Sequence, residues 1–123
     1  MRILKTNGFT KFAKKERITD RMLLDSVKEI ANGLKGSPQG SLVYKKRVAR
    51  PGKGKSGGFR TMIVFRKEDR VIFIEGYAKN EQSTLSPVEL KVVRKFATEL
   101  LKWTNRELDA LVKQGVLQEI ADD

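Results

Sequence analysis

The apolar positions change period several times along the chain, and each change predicts an element. Met1 to Lys5 (MRILK) is a short strand candidate that Asn7-Gly8 breaks, and the basic run Thr10 to Arg17 suits a short helix. From Thr19, a residue type that caps helices, Met22, Leu23, Val27, Ile30, Ala31 and Leu34 fall on one helical face, and Gly36 with Ser37-Pro38 stops it. Leu42 to Ala49 (LVYKKRVA) can form a strand, followed by a glycine-lysine loop, Pro51 to Gly58 (PGKGKSGG). Phe59 to Arg66 and Val71 to Ala78 are β-rich and joined by the polar turn Lys67 to Arg70, which predicts an antiparallel hairpin. Both are apolar on two faces over much of their length, as a central sheet covered by helices requires.

Ser86-Pro87-Val88-Glu89 combines a capping serine, a proline at the first helical position and a capping-box glutamate. Leu90, Val93, Phe96, Ala97, Leu100 and Leu101 would then form the buried stripe, with Trp103 as a packing residue near the helix end. Thr104 to Glu107 repeats the capping-box spacing before Leu108, Leu111 and Val112, with Gly115 as the stop, giving either a second short helix or one bent helix. The expected order is β, α, α, β, β, β, α, α. That is an α/β (α+β) chain of one domain over its 123 residues, with residues 1–81 as core and 86–123 as a helical C-terminal part.

Charge changes this picture from fold to partner. The net charge is +11, yet residues 1–79 hold 20 basic and 7 acidic residues while 80–123 hold 6 and 8. Between Tyr44 and Arg60 there are seven basic residues and no acidic one, running through a glycine-rich segment whose amides could approach a phosphate. A polyanion is the expected partner. The chain has no cysteine and no histidine, which excludes thiolate nucleophiles, Cys/His zinc sites and imidazole acid-base pairs, and leaves Lys, Arg, Tyr, Asp and Glu for any catalysis. Without a long apolar run or a leader-like start, a cytoplasmic location is expected.

Hairpin geometry converts charge into a site. If the turn is centred on Glu68-Asp69 so that Lys67 faces Arg70, then Arg60 lies across from Tyr77 and Met62 across from Glu75. The two-residue period then projects Arg60, Glu75, Tyr77 and Lys79 to one side at the open end, which the lysine loop feeds. A one-residue slip would break the cluster, and mutual neutralisation of Glu75 and Arg60 is its uneventful alternative. Lys67 and Arg70, at the opposite end, are expected to matter little to activity.

The lysine loop together with GFRTMIVFRKEDRVIFIEGYAKNE (Gly58 to Glu81) resembles the RelE/ParE superfamily of bacterial toxins, particularly HigB-like members whose loop is of the kind KGKGKSGG. The likeness covers residues 1–101 in layout and is specific from Tyr44 to Glu81. It implies a RelE-like small twisted, mainly antiparallel sheet packed by N-terminal helices and followed by C-terminal helices. It also implies cleavage of messenger RNA on the ribosome and hence translation inhibition, by an mRNA interferase held inactive by a cognate antitoxin, of which a helix-turn-helix HigA-like protein is one form.

By that resemblance the basic pair before the loop falls on Lys45 and Arg47, and the arginine of the Gly-aromatic-Arg motif on Arg60. The basic pair closing the last strand falls on Lys79 and Asn80, so one charge is absent, and the tyrosine of ribosome-dependent enzymes falls on Ser86, which capping already employs. Lys53, Lys55 or Tyr77 would have to supply what is missing. The expected catalytic set is therefore Arg60, Lys55, Lys79, Arg47 and Tyr77, with Lys45, Lys46, Arg50, Lys53 and Asn80 as RNA contacts. The chemistry expected is transesterification by the substrate 2′-hydroxyl, without metal or cofactor. A ParE-like inhibitor of gyrase and a non-catalytic nucleic-acid-binding module are the alternatives.

Overall fold

The computed structural model describes residues 1–50, 54–78 and 86–120, with 54–57 described by their backbone alone. Strand β1 (Arg2–Thr6) passes directly into helix α1 (Asn7–Lys15). Asn7-Gly8 ends the strand as expected but also forms the first helical turn, earlier than the expected start at Thr10, because the Thr6 hydroxyl accepts the Phe9 amide at 3.1 Å and donates to the Ile74 carbonyl at 2.8 Å. Helix α2 (Asp20–Ala31) starts at Thr19 as its spacing predicts, the hydroxyl accepting from the Met22 amide. It ends before Leu34, which is exposed instead of joining the buried face.

A short strand that the sequence pattern did not reveal, β2 (Ser37–Gly40), pairs with β3 (Val43–Arg50) through the two-residue turn Ser41-Leu42, both at positive φ. Strand β4 (Gly54–Arg66) begins inside the expected loop. Gly58 serves this close pairing, since a Cβ there would lie 1.9 Å from the Val48 carbonyl oxygen. Strand β5 (Arg70–Ala78), helices α3 (Pro87–Lys102) and α4 (Asn105–Lys113), and a further unforeseen strand, β6 (Leu117–Glu119), complete the order. Both capping boxes form, so the C-terminal part has two helices.

The described residues form a six-stranded mixed open sheet in the order β2-β3-β4-β5-β1-β6, with β1 parallel to β5 and the remaining neighbours antiparallel. The fold is α+β, and helices cover both faces. On one, Phe9, Leu23, Val27 and Ile30 from α1 and α2 pack on Ile3, Val48, Phe59, Ile63 and Phe73. On the other, Ala97, Leu100 and Leu108 pack on Leu4, Val43, Met62, Val64 and Ile72. Phe9, Phe59 and Phe73 are among the fully buried side chains, each stabilising the fold by about 1.5–3 kcal/mol through burial alone. Phe96 does not join the buried stripe of α3; it faces solvent with Val88 and Val92, four and eight residues before it on the same outer face.

The hairpin departs from expectation twice. Arg66, not Lys67, pairs with Arg70, closing a three-residue turn with Glu68 at φ +63°. Nearer the open end, Ile74 is an extra residue between the pairs Ile63–Phe73 and Met62–Glu75. The two offsets cancel, so beyond the bulge Arg60 faces Tyr77 and Met62 faces Glu75, as anticipated.

Arg70 is 2% exposed and donates to the Leu100 and Trp103 carbonyls, while Arg66 donates to the Leu101 carbonyl at 2.8 Å. Two guanidiniums thereby satisfy the C-terminal carbonyls of α3 and oppose its dipole. Asp69 accepts from both. Burial alone would raise its pKa, but the hydrogen bonds and charges of Arg66 and Arg70 prevail and hold it below the ordinary carboxylate value. Arg70 therefore has a structural role that its place in a polar turn did not announce.

Candidate active site

Three rows of cross-strand neighbours lie on the face covered by α3 and α4. Val43, Val64 and Ile72 form a fully buried row. Next come Lys45, Met62 and Glu75, and then Arg47, Arg60 and Tyr77, paired through Arg47–Arg60 and Arg60–Tyr77. The sheet thus passes from core to polar surface within two residue pairs, the strand period keeping the charged groups on one side.

That period also divides the basic run of β3. Lys45 and Arg47 reach the candidate site, whereas Lys46 turns to the opposite face, 5% exposed, with its ammonium 2.7 Å from the Glu29 carboxylate of α2. Arg50 donates to the Glu16 carbonyl at 2.9 Å and its carboxylate at 3.2 Å, and lies over the Phe59 ring. Lys46 and Arg50, expected as RNA contacts, are paired with Glu29 and Glu16 on the side of the N-terminal helices, while Lys46 also lines the cavity described below. Lys55 falls within β4, in the stretch described by backbone alone, and Lys53, Lys79 and Asn80 lie outside the described residues. Ser86 is the α3 cap: its hydroxyl accepts the Glu89 amide, and its own amide donates to the Glu89 carboxylate.

Arg60 has a distinctive state. Its Nη1 is buried with no hydrogen-bond partner among the described residues. A buried guanidinium nitrogen without an acceptor has lost water and gained nothing, so an incoming oxyanion would recover a charge-assisted bond there. Beside it, burial raises the Tyr77 pKa above the ordinary phenol value; the Glu75 charge raises it further and Arg60 lowers it less than the two together. At neutral pH the phenol is therefore protonated and has a proton to donate.

These groups open onto a cavity of about 550 Å³ lined by Lys45, Lys46, Arg47, Arg60 and Tyr77, together with Leu34, Gly36 and Ser37 from the α2–β2 connection. The last three were not anticipated. Their only trace in the sequence is a leucine at helical spacing, which reads as core. The described residues include no helix long and apolar enough to cross a membrane.

One comparison with known proteins is informative: the family model described as "RelE toxin of RelE / RelB toxin-antitoxin system" matches residues 1–120. No curated protein matches the chain.

Proposed function

The chain belongs to the RelE toxin family, and from that premise we propose that it is a HigB-like, ribosome-dependent messenger RNA endoribonuclease that arrests translation. As a toxin of a toxin-antitoxin system it has a cognate antitoxin partner. An acidic or HigA-like antitoxin segment covering the basic groove is the regulator proposed here. The observation that carries the nuclease reading is the row Arg47–Arg60–Tyr77 at the cavity, with a buried Arg60 nitrogen lacking an acceptor.

In this mechanism the substrate 2′-hydroxyl gives its proton to solvent water and attacks the adjacent phosphorus, the bond to the 5′-oxygen breaks, and the upstream fragment keeps a 2′,3′-cyclic phosphate. Negative charge gathers on the phosphoryl oxygens, where Arg60 and Arg47 stabilise it. Tyr77, protonated at neutral pH, gives its proton to the departing 5′-oxygen. Lys45 holds the neighbouring phosphate, and Lys53, Lys55 and Lys79 supply the remaining charge, compensating for the uncharged Asn80. Neither metal nor cofactor takes part.

Primer extension on messenger RNA from translating ribosomes, with analysis of fragment ends, tests this. Codon-scale cuts bearing cyclic phosphate, undiminished in excess EDTA and slowed when Lys53 and Lys55 both become alanine, are expected. Intact messenger RNA accompanied by gyrase-linked DNA breaks would replace this reading with the ParE-like one.

A further inference from the structure

The cavity has two unlike walls. One is basic, lined by Lys45, Lys46, Arg47 and Arg60 together with Tyr77; the other is lined by Leu34, Gly36 and Ser37, none of which has a charged side chain. Leu34 is 57% exposed, which leaves its aliphatic side chain open along the cavity.

Its backbone is closely held. The Leu34 amide donates to the Glu29 carbonyl at 2.9 Å, and Lys35 places its ammonium 5.4 Å from the centre of the Tyr44 ring. Gly36 sits at φ +89°, so near β3 that a Cβ would lie 2.0 Å from the Lys45 carbonyl oxygen. The connection is thus drawn against β3 and presents Leu34 to the cavity.

Phosphate binding alone leaves this wall without a purpose, since cations and N–H donors are all a phosphate needs. The cavity volume of about 550 Å³ falls instead within the range of pockets that hold whole organic ligands. A nucleobase has an apolar face suited to leucine, and a ribose has hydroxyls suited to serine.

We propose that the Leu34–Ser37 wall is a nucleoside subsite: the base attached to the phosphate held by Arg47 and Arg60 lies against Leu34, and its ribose faces Ser37. The proposal rests on the nuclease reading and adds to it a seat for the nucleotide. Leu34 positions the substrate and takes no part in bond making.

The test is an NMR titration of the full chain with adenosine 3′-monophosphate and, separately, with inorganic phosphate. In the parent, the nucleotide should bind more tightly than phosphate and shift the amides of Leu34 to Ser37. Leu34→Ala should weaken nucleotide binding about tenfold and leave phosphate binding unchanged, whereas Leu34→Met should retain both. Equal affinity of the parent for the two probes, or a Leu34→Ala protein that still prefers the nucleotide to the same degree, would overturn the subsite and leave the nuclease reading standing. Absence of any phosphate binding that depends on Arg60 would overturn both.

Discussion

The two ends of the β4–β5 hairpin are built from similar residues and do opposite work. At the turn, Arg66 and Arg70 have a carboxylate between them and the carbonyls of α3 before them, so their donors are consumed by the fold. At the open end, Arg60 is flanked by Arg47 and Tyr77, and its Nη1 finds no acceptor among the described residues. Arginine is structural where the fold brings acceptors to it, and at Arg60 the described residues bring none to Nη1. Residue type and local charge density do not distinguish these cases; the acceptors do.

The largest effect that would sharpen this contrast is at the turn. Arg70→Ala should cost about 3 kcal/mol of stability, because it leaves helix carbonyls and Asp69 without their buried donor, and thermal unfolding by circular dichroism would register it. An Arg70→Ala protein as stable as the parent would erase the distinction between the two ends. Arg60→Ala should do the converse. Cleavage falls about a hundredfold, roughly 3 kcal/mol of transition-state stabilisation, with the unfolding midpoint unmoved or slightly raised.

Lys46 offers a subtler test, since it sits one residue from Arg47 but faces α2. Lys46→Ala should destabilise the fold by about 1–3 kcal/mol while the folded fraction cleaves RNA at the parent rate. Loss of activity in a fully folded Lys46→Ala protein would return this lysine to the RNA surface. The smallest effect is a pH dependence. Because the folded-state pKa of Asp69 is depressed, its contribution is present above the ordinary carboxylate value and is lost as pH falls through the folded-state value. Asp69→Asn should therefore flatten the acid limb of the stability curve, measured by urea unfolding between neutral and acidic pH.

Local signals in the sequence announced most of the elements. Thr19, Ser86 and Thr104 mark helix starts that the structure reproduces, and the facing of Arg60 and Tyr77 follows from the β period and the hairpin. That pairing survived because a longer turn and the extra residue at Ile74 offset one another, a coincidence of register that no local pattern encodes. Strands β2 and β6 are only four and three residues long, and each lies at a sheet edge where pairing, with adjacent β3 for β2 and with distant β1 for β6, and not propensity, creates the strand. The site was legible on β3 only after its alternation was taken residue by residue: Lys45 and Arg47 go one way and Lys46 the other, although the run is uniformly basic. Leu34 was hidden for a different reason: it is in phase with the helix, and the stop was placed at Gly36 when Gly33, at φ +95°, already ends it.

The position of β1 in the sheet has a consequence in time. Its neighbours are β5 and β6, so the first strand to be synthesised pairs with residues 70–73 and with residues 117–119, and Arg2 holds Glu119 through two hydrogen bonds of 2.9 Å. During translation, β1 must wait for almost everything else. Such long sequence separation slows folding, and it delays closure of the sheet until residues 117–119 have emerged. A sheet whose N-terminal strand waits on residues 117–119 thus passes through most of its assembly with that edge open.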